Sequence, residues 1–207
     1  MTRPGKRFYL EWMILNPMGF TLGSLHGATD HGFVPSAIPG YIGLILGDLV
    51  FGMMVGFVQQ LAFRRAGLPL GSAQWIVANA VGFTLGARAG AFLTFRLTDD
   101  WLTAGIIFGM FMGGSIGLAT AFALYKQISL SRLFAWLITC IFAWVVGEKI
   151  AFASLFSIKT APLVGAAIAG VTGLALIFIL SPLRAEKQPA AEPKRSMHPP
   201  QTRPDPD

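Results

Sequence analysis

Six long apolar stretches dominate this 207-residue sequence. They cover residues 8–27, 39–63, 71–95, 101–125, 133–158 and 162–180. A helix of roughly 20 residues crosses a hydrocarbon core of about 30 Å, so each stretch is long enough to span a membrane. Only 13% of the residues are charged and the mean hydropathy is +0.60, unlike a soluble domain. The sequence therefore predicts an all-α polytopic membrane protein with six transmembrane helices.

One sequence pattern occurs three times. The copies are WMILNPMGFTLG at residues 12–23, WIVANAVGFTLG at 75–86 and WLITCIFAWVVG at 136–147. A second pattern of small residues at four-residue steps repeats in the stretches between and after these copies: Gly52 and Gly56 before Gln59, Gly113 and Gly117 before Thr120, and Gly165, Ala169 and Gly173. The chain is therefore predicted to form three tandem, parallel helical hairpins, at about residues 8–63, 71–125 and 133–180.

The repeated residues suggest structural roles. Small residues four apart lie on one helix face and let two helices approach closely in lipid, which favours a packing role for Gly52, Gly56, Gly113 and Gly117. Asn16 and Asn79 are predicted to hydrogen-bond between helices, which we favour over ligand contact. An indole prefers the boundary between lipid and water, which predicts interface anchors at Trp12, Trp75 and Trp136.

The basic residues predict an orientation. Most of the 16 Lys and Arg residues lie on one side of the predicted spans: Arg3, Lys6, Arg7, Arg64, Arg65, Lys126, Arg132, Arg184, Lys187, Lys194, Arg195 and Arg203. Arg96 and Lys159 lie on the other side. The positive-inside rule then places both termini in the cytoplasm. This topology accounts for most of the net charge of +6, so no nucleic-acid partner is expected.

The sequence divides into a transmembrane domain and a tail. Residues 1–183 hold the predicted spans, and residues 184–207 are rich in proline and charge without an apolar period. Such composition predicts a disordered cytoplasmic tail.

Ionisable residues inside the predicted spans are the candidate site. Such groups are costly in a membrane and are functional candidates by default. Repeat position and distance from the turns place five of them in one layer in the outer half of the membrane: Asp48, Arg88, Glu148, Lys149 and His26. Three explanations remain open. The layer is a set of structural ion pairs, which we favour; a pocket for an anionic or zwitterionic ligand or a lipid headgroup; or a relay for protons or ions.

Enzymatic and metal-binding functions have little support. His26, Asp30 and His31 are metal-capable residues in the external connection at residues 26–40, but their spacing matches no metal-ligand motif. No catalytic motif is recognisable, and the glycines are spread along helices rather than gathered into a phosphate-binding loop. We therefore expect no catalysis, no metal and no nucleotide.

The repeated unit resembles a known group of proteins. The pattern Trp-x3-Asn-x2-Gly-Phe-x-Leu-Gly, paired with Gly-x3-Gly-x2-Gln-x-Leu and Arg64-Arg65, is similar to the tandem hairpins of uncharacterised multi-pass membrane proteins of cyanobacteria and other bacteria. The resemblance runs from Trp12 to about Ile158, and it implies a bacterial inner membrane of plasma or thylakoid type without implying an activity. The third copy departs from the pattern, with Cys140, Ala143 and Trp144 in place of Asn, Gly and Phe.

The sequence favours an accessory, assembly or scaffold subunit of a membrane complex. Its partners would be the lipid bilayer and either another membrane protein or further copies of itself. Lipid or pigment molecules would be the ligands in grooves between its helices. The alternative is a transporter of a small solute or lipid that uses the layer of Asp48, Arg88, Glu148 and Lys149.

Overall fold

A computed structural model describes residues 5–27, 32–68 and 70–181. All the regular structure in this part of the chain is helical, so the fold class is all-α. The helices are α1 (Lys6–His26), α2 (Phe33–Ala37), α3 (Tyr41–Arg65), α4 (Ser72–Leu97), α5 (Trp101–Leu124), α6 (Leu130–Ala153) and α7 (Ala161–Ile179). A 3-10 helix at Ile158–Thr160 precedes α7. The predicted tail at 184–207 lies outside the described residues.

Five of the described helices are long and apolar enough to cross a membrane, which indicates a membrane protein. They are α3, α4, α5, α6 and α7, the last together with its 3-10 turn. The sequence predicts six, but α1 is not among the five although it has 21 residues. Polar residues such as Glu11, Asn16 and Ser24 make α1 less apolar than the other long helices.

The six long helices close a ring. In chain order α1 packs against α3, α3 against α4, α4 against α5, α5 against α6 and α6 against α7, and α7 then packs back against α1. Neighbouring helices run in opposite directions. For example, Gly109 of α5 faces Val145 of α6, whereas Gly117 faces Leu137. The short α2 packs against α3.

Glycines lie at the contacts between neighbouring helices. A Cβ atom on Gly52 would lie 2.6 Å from the carbonyl oxygen of Asn79, and one on Gly113 would lie 2.5 Å from Cα of Ile141. A Cβ on Gly165 of α7 would lie 2.9 Å from Cβ of Phe20, so the same kind of contact joins the last helix to the first. Only glycine allows backbones to approach this closely.

Two clusters of buried residues fill the ring. One surrounds Trp12, Trp75 and Trp136 near the α3–α4 and α5–α6 connections, which we call the tryptophan end. The other surrounds Phe20, Phe83 and Trp144, closer to the α4–α5 connection. The end of the bundle beyond this second cluster is called the cavity end below.

Candidate functional site: a cavity on the axis of the ring

Three tryptophans form a hydrogen-bonded layer, the tryptophan girdle, made of Trp12, Trp75 and Trp136. Each indole Nε1 donates to a polar side chain on a neighbouring helix: Trp12 to Thr172 Oγ1 at 3.1 Å, Trp75 to Gln59 Oε1 at 3.0 Å and Trp136 to Thr120 Oγ1 at 2.9 Å. At most 3% of any of the three residues is exposed. The sequence predicts interface anchors, but the structure buries these indoles because polar partners inside the ring satisfy their N–H groups.

The two repeat asparagines are used differently. Asn16 Oδ1 accepts from Gln59 Nε2 at 2.8 Å, and Asn16 Nδ2 donates to the carbonyl of Trp12 at 2.9 Å. Gln59 therefore connects α1 to α4 through α3, because its Oε1 accepts from Trp75. Asn79 Nδ2 donates to the carbonyl of Trp75 within its own helix at 3.0 Å. Among the described residues, no side-chain bond from Asn79 to another helix is present.

An aromatic layer made of Phe20, Phe83, Trp144 and Phe51 lies between the girdle and the cavity end. The ring centroids of Phe20 and Trp144 are 5.6 Å apart, those of Phe83 and Trp144 are 5.8 Å apart, and Phe51 stacks on Phe83 at 4.1 Å. The first three residues occupy one repeat position, so the repeat itself brings them together on the axis. A void of about 20 Å³ separates this layer from the girdle.

A central cavity of about 140 Å³ lies beyond the aromatic layer. All six long helices and the α6–α7 connection contribute to its wall. Its polar lining residues are Asp48, Arg88, Glu148, Ser24, Ser157 and Thr160, and its aromatic lining residues are Phe20, Phe51, Phe83, Phe108, Trp144 and Phe156. Ser157 and Phe156 line the cavity and are also exposed on the surface, so the cavity opens at the end of the bundle where the α6–α7 connection lies.

An ion pair forms one wall of the cavity. Arg88 Nε of α4 lies 2.6 Å from Asp48 Oδ2 of α3. The Asp48 side chain is 2% exposed and the Arg88 side chain 25% exposed. Removing two charges from water costs several kcal/mol per ion before the pair recovers any of it, so such a pair is weak evidence for stability alone.

A third ionisable residue, Glu148 of α6, lines the same cavity without a partner among the described residues. The residue is 6% exposed, and its carboxylate makes no ion pair and no hydrogen bond within the described part of the chain. Lys149 follows Glu148 directly, and successive helical residues point about 100° apart. Lys149 therefore does not share the inward direction of Glu148 and is exposed on the outside of α6. His26 is half-buried, with Nδ1 2.8 Å from the carbonyl of Leu22, and it does not line the cavity. The layer of five residues thus separates, and only Asp48, Arg88 and Glu148 reach the cavity.

The mouth of the cavity has an unusual backbone. Leu155 and Phe156, which follow α6, have φ angles of 52° and 54°. Non-glycine residues adopt this left-handed region at a cost of roughly 1–2 kcal/mol each. The backbone N–H of Phe156 donates to the carbonyl of Ala151 at 2.9 Å, which holds the turn and places Phe156 and Ser157 at the rim. No glycine or asparagine marks this turn in the sequence.

The sequence also contains metal-capable residues in the connection at residues 26–40. Asp30 and His31 lie outside the described residues, so the structure says nothing of a metal site in that connection. In residues 5–27, 32–68 and 70–181, no group of three or more His, Cys, Asp or Glu side chains could hold a metal ion.

Thr172 accepts the hydrogen bond from Trp12 of the girdle, although no sequence pattern had marked this residue. It follows Gly165 by seven residues, as Gln59 follows Gly52 and Thr120 follows Gly113.

Comparison with known proteins adds no assignment. No protein-family model, curated protein or solved structure matches this chain. The chemistry of the site therefore follows from its own residues. A cavity with aromatic walls, one ion pair and one additional carboxylate is suited to holding a small polar or charged solute.

Proposed function

We propose that this chain is a six-span membrane protein that binds a small solute in its central cavity, reached from the non-cytoplasmic side. The observation that carries the proposal is the convergence of Asp48, Arg88 and Glu148 on one cavity at the axis of the ring. Charged groups within a membrane are costly and usually mark a substrate or ion pathway. An ion pair for stability alone would not need a cavity or a third charge.

The outward face of α1 supports a sixth span. Beyond Lys6 and Arg7 at its start, the exposed residues of α1 are all apolar: Leu10, Ile14, Met18, Leu22 and Leu25. They recur at steps of three or four residues, which places them along one helix face toward lipid. Its polar residues Asn16 and Ser24 are buried inside the ring. With 21 residues, α1 is about 31 Å long and matches the thickness of the hydrocarbon core.

The distribution of basic residues supports the orientation. Arg64, Arg65, Lys126 and Arg132 lie at the tryptophan end, which the positive-inside rule places in the cytoplasm of a bacterial inner membrane. The cavity then opens toward the other side. Three parallel hairpins around one axis also agree with the parallel repeats of some transport proteins.

Transport would require two barriers to open. The aromatic layer closes the cavity toward the tryptophan end, and the hydrogen-bonded girdle closes the axis a second time. Binding from outside needs neither barrier to move. A binding function is therefore the simpler proposal, and transport is its extension.

An accessory subunit is the second candidate. Gly52 and Gly113 contact neighbouring helices of the same chain, so these glycines do not offer a surface to a partner. What favours this candidate is a groove of about 540 Å³ on the outside of α4 and α5, lined by Val77, Ala119 and Phe122 among others. A lipid chain or a helix of another protein would fit there.

Thiol labelling tests the proposed cavity. In a Cys140→Ser background, Ser157→Cys at the rim and Ser131→Cys at the tryptophan end place matched exposed thiols at the two ends of the bundle. A membrane-impermeant methanethiosulfonate added to intact cells should modify Ser157→Cys and spare Ser131→Cys. The reverse labelling, or none at Ser157→Cys, would refute an outward-opening cavity.

Cavity filling tests binding. Ala91→Phe would place a ring in the cavity, whereas Ala89→Phe changes an exposed position on the same helix. A panel of small cationic, anionic, zwitterionic and neutral solutes should include at least one that protects Ser157→Cys from labelling. That protection should disappear in the Ala91→Phe protein and persist in the Ala89→Phe protein. Equal protection in both variants would place the binding site elsewhere.

A further inference from the structure

We propose that the solute is a small organic ammonium cation, held by the Glu148 carboxylate against the aromatic wall of the central cavity. This inference rests on the proposed function and names the class of ligand. It follows from three properties of the cavity: its balance of charges, the nature of its walls and its size.

The charges in the cavity do not balance. Asp48 is matched by Arg88 at 2.6 Å, which leaves the carboxylate of Glu148 as the additional acidic group. An ionised carboxylate in a largely apolar cavity is unfavourable without a counter-charge, because nothing there replaces the hydration it would have in bulk water. A cationic ligand would supply that partner. An anionic ligand would instead add a second unmatched negative charge.

The walls favour an organic cation over a metal ion. Hard cations such as Ca²⁺ and Mg²⁺ need about six oxygen ligands, and the described lining offers mainly aromatic and aliphatic carbon. Trp144 lies one helical turn before Glu148, so the indole and the carboxylate share one face of α6. An ammonium group that contacts a carboxylate on one side and aromatic faces on the other gains from both, and tryptophan is the strongest aromatic partner for such a cation.

The volume sets the size of the ligand. An apolar protein cavity of about 150 Å³ accommodates benzene, a molecule of six heavy atoms. The central cavity, at about 140 Å³, therefore suits a cation of similar size. Choline has this size and carries one quaternary ammonium group, so it is a suitable probe.

The experiment measures choline binding to the purified full chain in nanodiscs by titration calorimetry. The reference compound is the uncharged isostere of choline, in which carbon replaces the ammonium nitrogen. We expect the isostere to bind at least tenfold more weakly than choline. Glu148→Gln, which keeps the volume and removes the charge, should weaken choline binding at least tenfold, and Glu148→Asp should retain part of it. Glu11→Gln is the matched control, because Glu11 pairs with Arg7 outside the cavity.

Folding is checked separately in each variant. Removing an unpartnered buried carboxylate should leave the unfolding temperature of Glu148→Gln unchanged or higher, so a loss of choline binding in that protein reports on the charge. Choline should also protect the Ser157→Cys thiol in the wild-type cavity and fail to protect it when Glu148→Gln is added.

Each outcome decides between the two proposals. Equal choline binding by wild type and Glu148→Gln, or equal binding of choline and its isostere, would overturn the inference. Protection of the thiol by a neutral or anionic solute but not by choline would overturn the inference and keep the solute-binding function. No labelling of Ser157→Cys, together with no binding of choline, would overturn both.

Discussion

Trp75 and Gln59 are joined by a hydrogen bond between neighbouring helices, in which the indole Nε1 donates to the side-chain Oε1 over 3.0 Å. The two residues are 16 positions apart, as are Trp136 and Thr120, which make the corresponding bond. The third bond, from Trp12 to Thr172, spans 160 positions. It joins the first long helix to the last, so the kind of bond that links α3 to α4 and α5 to α6 also closes the ring.

Gln59→Leu should be the most destabilising substitution among the girdle acceptors. It would leave both the Trp75 N–H and the Asn16 Oδ1 without their partner. Thr120→Val would remove one bond between helices, to Trp136, and the bond from the Thr120 hydroxyl to the Ile116 carbonyl within its own helix. Side-chain hydrogen bonds in membrane proteins contribute about 0.6 kcal/mol on average and up to about 1.7 kcal/mol. We expect a loss of about 1–3 kcal/mol for Gln59→Leu and about half of that for Thr120→Val.

Unfolding of the purified variants in mixed detergent micelles would measure these losses. Thr139→Val is the control, because the Thr139 hydroxyl bonds only to the carbonyl of Ala135 in its own helix. If Gln59→Leu were as stable as the control, the bond network around Gln59 would contribute nothing to stability.

The Asp48–Arg88 pair should respond asymmetrically to substitution. Arg88→Leu leaves behind the more buried partner, since the Asp48 side chain is 2% exposed and the Arg88 side chain 25% exposed. Breaking a buried pair costs about 3–5 kcal/mol, and we expect Arg88→Leu to lie in that range and Asp48→Asn below it. Adding Asp48→Asn to Arg88→Leu should restore part of the loss, because no unpaired charge remains.

A double-mutant cycle on thermal unfolding measures this coupling. Losses that simply add in the double variant would mean that the two residues do not stabilise each other.

The bounds of the long helices could be predicted closely from the sequence, because each helix follows the extent of one apolar stretch. The stretch at 101–125 corresponds to α5 at Trp101–Leu124, and the stretch at 162–180 corresponds to α7 at Ala161–Ile179. Which face of each helix points inward could not be read in the same way. Helices that are apolar all round carry little contrast between a face toward lipid and a face toward the core. The burial of Trp12, Trp75 and Trp136 is therefore a result of the closed ring.

The cavity was predictable only in part. Asp48 and Arg88 are equally far along the chain from the α3–α4 turn, so their common depth in the bundle could be predicted. Adjacent helical residues point in different directions, so Glu148 and Lys149 could be predicted to face different surroundings. The turn at Leu155 and Phe156 has no glycine or asparagine signal, so its position at the mouth emerges only from the folded chain. Thr172 could have been found from its distance to Gly165, the same seven residues as in the two earlier helices.

Asp100 should stabilise the start of α5 in a pH-dependent way. Its carboxylate accepts from the backbone N–H of Thr103 at 2.7 Å, and hydrogen bonds from the side chain and backbone of Thr103 hold its pKa below the usual 3.8. A lowered pKa in the folded state means that the stabilisation is complete above about pH 4 and is lost as the pH falls through the lower, folded value. The unfolding temperatures of wild type and Asp100→Ala should therefore differ at pH 7 and converge as the pH falls below 3.8. A difference that stays constant over this range would mean that charge on Asp100 has no role.

Gly113 and Gly114 provide a matched pair of neighbouring residues with opposite expected responses to alanine. A Cβ atom at Gly113 would lie 2.5 Å from Cα of Ile141, and backbone atoms cannot yield as a flexible side chain can. A Cβ atom at Gly114 would meet nothing within 4 Å. Overpacking typically costs about 1–3 kcal/mol, so Gly113→Ala should destabilise the contact between α5 and α6 by that amount.

Gly114→Ala should be neutral or stabilising, because alanine is better than glycine in a helix by up to about 1 kcal/mol. Unfolding of both single variants under identical conditions measures the difference, which should reach at least about 1 kcal/mol in favour of Gly114→Ala. Equal stability of the two would mean that α5 and α6 can separate without loss, and that the small-residue pattern does not set the spacing of the ring.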